Sequence, residues 1–333
     1  MRVLTETITS PTMAQQLQML LKQFPNAAWH QYEPITNDTV QAGMRLAFGQ
    51  EVNAVYHFDK AQVILALEAD FLACEPGTLH YAHGFAKKRR VRGDVKDMNR
   101  LYVVESHLSL TGANADHRLP MRSSAVADLA RALARALGAV AESPSSPQET
   151  TASAHWINAV ADDLQQHRGA SLVLAGRQQP PLVHALAQAM NVALGNVGET
   201  VVYTAPVVVQ PVNQLASLRA LVEDMASSRV ELLLILGSNP VYTAPADFDF
   251  ARHVARVPFS VHLSLEANET SALCHWLLPE THYLEAWGDA RAYNGTVSLM
   301  QPLIEPLYGG KSASELLAML LGQPEPDGRV RTP

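Results

Sequence analysis

Short apolar runs alternate along this chain with amphipathic stretches, and that alternation limits the fold more than any other feature. The runs read "VILALEAD" (63–70), "RLYVVES" (100–106), "SLVLAG" (171–176), "TVVYT" (200–204), "ELLLILG" (231–237) and "PFSVHLSL" (258–265). Short, bounded by turn residues and nearly free of charge, they predict buried strands. The stretches between them carry helix signals. In "SPTMAQQLQMLLKQF", Ser10 is placed to cap and Pro11 to begin a helix. Met13, Leu17, Leu20, Leu21 and Phe24 then share one face. A short helix follows Asp38 and stops at Gly49. "SSAVADLARALARALG" turns Val126, Leu129, Leu133 and Leu137 inward and closes at Gly138. Further helices fit residues 156–165, a segment from Pro180-Pro181 to just before Gly195, 215–225 and 312–321. Strand and helix alternating at this spacing predict an α/β fold of two doubly wound, mostly parallel Rossmann-like units.

The Ser/Pro/Thr-rich "AESPSSPQETTAS" (141–153) is the natural place to divide them. The expected organisation is a first Rossmann-like domain over 1–142, a linker over 143–150, a second domain over 151–323 and a tail over 324–333. A faint repeat supports two related units. "YVVESHLSLTGANADHRLP" (102–120) and "SVHLSLEANETSALCHWLLP" (260–279) each run from a strand through a threonine to a residue–histidine pair and Leu-Pro.

Composition removes several functions. Twenty-five basic against 32 acidic side chains give a net charge of −7, which disfavours nucleic acid as a partner. Cys74 and Cys274 are too few for a disulfide framework, an iron–sulfur cluster or a four-thiolate zinc site within this chain. No apolar run approaches the ~18 residues of a membrane span, so no direct membrane insertion is expected.

The most informative turn is "ILGSNPVYTAP" (235–245), where a buried strand meets Gly237-Ser238-Asn239-Pro240. Glycine lets a ligand approach the backbone, the Asn239 amide can contact a base or ribose, and Pro240 fixes the exit direction. Alone, this tetrapeptide also reads as a plain strand-to-helix turn. Its context is more specific. "LILGSNPVYTAP", "ETSALCHWLLPE" and "YLEAWGDARAYNGTVSLMQPLIEPLYGGKSASELL" follow in the order seen in the molybdopterin oxidoreductase (dimethyl sulfoxide reductase) superfamily, which this chain resembles. "MNRLYVVES", "TGANADHRLP" and "QPLIEPLYGGKSA" resemble one subgroup, the large peripheral subunit of bacterial alternative complex III. The resemblance runs over residues 2–321, and the family's proteins are longer, so the chain reads as a middle piece.

The resemblance implies that Gly237, Ser238, Asn239 and Pro240 are the cofactor-binding turn, the place where relatives hold molybdopterin guanine dinucleotide. The departures point the other way. At the first-half strand end the family's Asn-Pro turn is replaced by Glu68-Ala69-Asp70-Phe71-Leu72. Carboxylates there repel a pyrophosphate by roughly 1 kcal/mol or more at an effective dielectric of 20, unless something neutralises them. The family's "DPR" reads Glu105-Ser106-His107, its "PGTD" reads Arg122-Ser123-Ser124-Ala125, and the arginine of its "EGRVQ" is Thr296. The expected function is therefore a cofactor-less scaffold segment of a respiratory quinol-oxidising complex, with Gly237–Pro240 a relic and no catalytic or metal-binding residue. The resemblance implies partner subunits of a membrane-bound complex on the periplasmic side of a bacterial inner membrane. It also implies iron–sulfur clusters only in segments outside this chain. The alternative is a fragment of a genuine molybdopterin guanine dinucleotide-binding oxidoreductase.

Other constellations are weaker. Cys274-His275 with His282 suggests a metal, but adjacent strand residues point to opposite faces. His80 and His83 can share a helical face without a third ligand. The five cations within 87–92 fit a solvated face or an acidic neighbour. Glu280, His282 and Glu285 could act as acids or bases, yet no nucleophile accompanies them.

Overall fold

The computed structural model of the protein describes residues 1–91, 98–141 and 151–322. In chain order come β1 (Arg2–Thr5), α1 (Pro11–Gln23), β2 (Ala28–Gln31), α2 (Asp38–Phe48), β3 (Asn53–Tyr56) and β4 (Val63–Leu67). Next are α3 (Thr78–Lys88), β5 (Arg100–Glu105), α4 (Leu110–Ala113), β6 (His117–Pro120), α5 (Ser123–Ala136) and α6 (Thr151–Gln166). They are followed by β7 (Ser171–Ala175), α7 (Pro181–Ala193), β8 (Val201–Thr204), α8 (Gln214–Ala226), β9 (Leu232–Leu236) and α9 (Pro240–Thr243). The remainder holds α10 (Phe250–Val254), β10 (Phe259–Ser264), β11 (Trp276–Pro279), β12 (Gly288–Arg291), β13 (Val297–Met300) and α11 (Ala313–Leu320).

The fold class is as expected: α/β, with two parallel, doubly wound sheets. The domain organisation is not. One compact unit joins Met1–Asp38 to Val207–Pro333, and the other is Thr39–Pro206. Strand pairing overrides linker composition. β1 pairs with β9, more than two hundred residues downstream, so the N-terminal strands belong to the first unit. β7 lies beyond the Ser/Pro-rich segment yet pairs with β4 before it. The expected linker and tail fall outside the described residues.

In the first unit the sheet order is β11-β10-β9-β1-β2, parallel throughout. Alternate residues of β9 enter opposite layers. Leu233 and Ile235 join Leu218 and Leu221 of α8 with Phe250 and Val254 of α10. Leu234 and Leu236 join Leu17 and Leu20 of α1 with Leu316 and Leu317 of α11. Helix α1 starts as its sequence dictates, the Ser10 hydroxyl accepting from the Met13 amide. Phe24 departs from the expected inward face because it lies past the last turn and is exposed. A short antiparallel pair, β12–β13, is separate from the main sheet.

In the second unit the order is β6-β5-β4-β7, again all parallel. Val63, Leu65 and Leu67 of β4 face α5, α6 and α7 through Val126, Leu133, Val160 and Val183. On the other side Phe58 and Phe71 stack at 4.2 Å, with Tyr81 and Phe85 of α3 against them. The "TVVYT" run is a correction to the parallel pattern, because β8 pairs antiparallel with β3 outside the main sheet.

β7 ends this sheet, and a side chain covers part of its open edge. The wholly buried Asn191 of α7 accepts from the Val173 amide (3.0 Å) and donates to the Val173 carbonyl (2.7 Å). Asn196 in turn donates to the Asn191 carbonyl oxygen. One amide thus supplies what a further strand would supply. Asn191→Leu should strip partners from two buried backbone groups and lower stability by about 2–4 kcal/mol, measured by denaturant unfolding against the parent.

Candidate functional site

In doubly wound sheets a ligand crevice opens at the carboxyl ends of two neighbouring strands whose connections run in opposite directions. The first unit has that reversal between β9, which leads to β10 and β11, and β1, which leads to β2. The second has it between β4, which leads to β5 and β6, and β7 on its other side. The residues just beyond β9 and β4 are Gly237-Ser238-Asn239-Pro240 and Glu68-Ala69-Asp70-Phe71.

These two turns share one construction. The amide of Gly237 donates to the Leu263 carbonyl at 2.9 Å, and that of Glu68 to the Val104 carbonyl at 2.7 Å. Both lead residues are left-handed, with φ of 78° and 49°. Two positions on, Asn239 Oδ1 accepts from the Thr270 hydroxyl (2.7 Å) and amide (3.3 Å). Asp70 Oδ1 does the same with the Thr111 hydroxyl (2.7 Å) and amide (2.9 Å). Each threonine hydroxyl also accepts the amide two residues beyond, from Val241 or Leu72, at 3.1 Å. Thr111 and Thr270 are the threonines of the sequence repeat, which therefore encodes this clamp. The Leu-Pro pairs of the repeat close the parallel edge strands β6 and β11.

The second turn is filled by its own side chain. Glu68 is buried, and its carboxylate accepts from the Ser106 amide (3.0 Å), the Ser123 hydroxyl (2.6 Å) and the Gln179 amide group. Burial drives its pKa upward, but hydrogen bonds from Ser106, Ser123 and Gln179 outweigh that and hold it below the usual carboxylate range. The Gln178 amide group donates to the Glu68 carbonyl at 2.6 Å. Gly176 follows β7, and a Cβ there would lie 1.9 Å from the same carbonyl oxygen. Glu105, at the end of β5, is likewise spent internally, on Arg118 and the Ser109 hydroxyl.

At the first turn Gly237 is exposed and the surroundings are acidic. A Cβ on Gly237 would stand 3.7 Å from the Glu280 carboxylate. Burial pushes the Glu280 carboxyl up to about 7, and the charge of Glu6 adds to it. The Asn239 amide donates to Glu269 at 2.8 Å. His262 is wholly buried, with Nε2 2.9 Å from the Ser238 carbonyl oxygen and Nδ1 2.9 Å from the Ser271 hydroxyl. Nε2 is thus the protonated nitrogen, since a carbonyl can only accept. The buried Ser238 hydroxyl has no partner among the described residues. Of the four residues singled out by sequence, Pro240 begins α9 and Asn239 is clamped, while Gly237 faces solvent.

The remaining candidates disperse. His275 Nδ1 accepts from the Ser260 amide, Cys274 packs beside the α8–α10 layer with its thiol pKa raised by burial, and His282 Nδ1 accepts from Leu284. His80 and His83 are exposed on α3. Among the described residues no three His, Cys, Asp or Glu side chains gather as for a metal ion. In the basic run Arg89 is committed to Asp116 and lies over the Phe85 ring, while Arg92 is outside the described residues. Glu285 caps the His282 amide instead of facing a reacting group. Sequence reasoning missed Gln179 and Gly176 because their connection to Glu68 spans more than a hundred residues.

Comparison with known proteins gives a consistent setting. The chain is similar to the menaquinone reductase, molybdopterin-binding-like subunit of Nitratidesulfovibrio vulgaris (strain Hildenborough), 24% identical over 314 residues. The match covers 83% of this chain and 45% of that protein, so the chain spans less than half of its relative's length. The resemblance to molybdopterin-type proteins holds at superfamily level. No protein-family model matches. The fold is that of acetylene hydratase from Pelobacter acetylenicus, with a TM-score of 0.64 at 13% identity over 96% of this chain and 55% of that one. It also matches the formyltransferase/hydrolase complex of Methylorubrum extorquens solved with methylofuran, with a TM-score of 0.60 at 13% identity over 96% and 90% of the two chains.

The raised pKa of Glu280 makes a signed prediction. The folded protein keeps a proton that the unfolded chain releases above a pKa of about 4.3, so Glu280 costs stability progressively as pH rises from there to about 7. Glu280→Gln should match the parent in thermal unfolding at acid pH and melt higher at alkaline pH. A constant difference across the range would contradict the assignment.

Proposed function

We propose that this chain is a cofactor-less, molybdopterin-oxidoreductase-like segment that serves as a scaffold in a respiratory, quinol-oxidising electron-transfer complex. The observation that carries the reading is Glu68. Its carboxylate lies on the donors at the second unit's crevice, including Ser123 at the start of α5, where a phosphate would be expected to bind. The first unit offers no better fit, because Asn239 is committed to Thr270 and Glu269 and the Glu280 carboxyl stands beside Gly237. The residues present therefore do not fit molybdopterin guanine dinucleotide, and no step is routed through it. Similarity to a menaquinone reductase subunit supports a place in quinone-linked electron transfer. The redox centres then belong to other segments or subunits, with the assembly at the periplasmic face of a bacterial inner membrane. No described helix is long and apolar enough to cross a membrane.

Metal analysis of the assembled complex tests the reading. The expected result is no stoichiometric molybdenum and no guanine nucleotide released by acid; finding both would establish the alternative, a fragment of a genuine molybdenum oxidoreductase. Asn239→Ala gives a second test. It removes the clamp on Thr270 and should lower stability by about 1 kcal/mol while leaving electron transfer unchanged. Lost turnover in a complex that remains assembled and equally heat-stable would mean that the turn still holds a ligand.

A further inference from the structure

We infer that the second unit retains an oxyanion cradle at the carboxyl end of β4 and that the Glu68 side chain is its resident carboxylate ligand. The inference deepens the cofactor-less reading and rests on it in one respect, that no external anion displaces Glu68. Three features carry it. The donors are neutral: the Ser106 amide, the Ser123 hydroxyl and the Gln179 amide group converge on one carboxylate. No ion pair to Glu68 occurs among the described residues, so dipoles alone hold the charge, as in backbone anion sites. Ser123 opens the 14-residue α5, which adds the positive end of a helix dipole.

Second, Gln179 is wholly buried, and among the described residues its Oε1 has no partner while its nitrogen lies on Glu68 Oε2. A side chain present only to fill space would be apolar; this one presents a donor to an oxyanion and leaves its acceptor unpaired. Third, the backbone at Glu68 favours glycine. Its φ of 49° is left-handed, and glycine stands at the matching position of the first unit, at 78°. A glutamate here is strained, and it is held from both ends, by its carboxylate and by the Gln178 bond to its carbonyl oxygen. The cradle therefore takes a small carboxylate, and the protein supplies one from its own chain.

Substitution by glycine suits the backbone and removes a fragment with the shape of propionate, which gives a direct experiment on the full chain. Thermal melts of the parent, Glu68→Gly and Glu68→Gln are compared in sodium propionate, in propionamide and in sodium chloride at matched concentration. Propionate should raise the melting temperature of Glu68→Gly by several degrees along a saturating curve. Propionamide and chloride should not, and the parent and Glu68→Gln should respond to none of them. The readout is the ligand-dependent shift, so relief of backbone strain by glycine does not enter it. Should Glu68→Gly fail to fold in plain buffer, the same additions are made during refolding, and recovery with propionate alone supports the cradle. Equal shifts in all three proteins, propionamide acting like propionate, or no response of Glu68→Gly to any addition would overturn it. Molybdenum in the assembled complex would sink the cofactor-less reading without altering these melts.

Discussion

A parallel strand covered on both faces offers no polar surface along its length, so its chemistry is confined to its ends. β4 and β9 are such strands. Val63–Leu67 is buried at every position, and Leu233 to Leu236 send alternate side chains into two separate apolar layers. Everything polar that these sheets must accommodate is displaced to the carboxyl ends, where the first residue beyond each strand is left-handed. The turn geometry, the threonine clamps and the placement of Glu68 and Gly237 all follow from that confinement.

The two turns show how one backbone solution carries opposite chemistry. Gly237 takes the left-handed conformation at no steric cost. Glu68 bears a strain of roughly 1–2 kcal/mol there, and a buried charge besides. Hydrogen bonds to a charged group contribute about 1.5–3 kcal/mol each, and Glu68 receives three on its carboxylate. The carboxylate is stable only because all its donors arrive together.

Glu280 is the counter-example within the same molecule. It is also a partly desolvated carboxyl at a strand-end turn, yet its pKa moves up while that of Glu68 moves down. Burial acts in the same direction on both. The difference lies in the neighbours: converging donors for Glu68, and the negative charge of Glu6 for Glu280. At one turn the donors are already taken by a carboxylate of the chain itself, and at the other a carboxyl is left without converging donors.

The sequence by itself determined the buried central strands, most of the long helices and the repeat. Apolar runs between capped amphipathic segments specify buried strands and covering helices because buried strands and helix faces have distinct periods, while the antiparallel pairing of β8 with β3 is not legible in them. Ser10, Gly49 and Gly138 mark their helix ends for local reasons, through capping and left-handed φ. The repeat marks two related units, and its threonines are the residues that form the clamps in the fold. Tertiary structure alone decided the grouping of strands, because the β1–β9 and β4–β7 pairings depend on shared burial and not on the Ser/Pro-rich segment between them. It also decided the meaning of Glu68. In sequence this is a carboxylate that repels phosphate; only the fold brings Ser106, Ser123 and Gln179 within hydrogen-bonding distance of it. Hydrogen bonds between residues so far apart in the chain leave no local signal, since their geometry exists only once the sheet has formed.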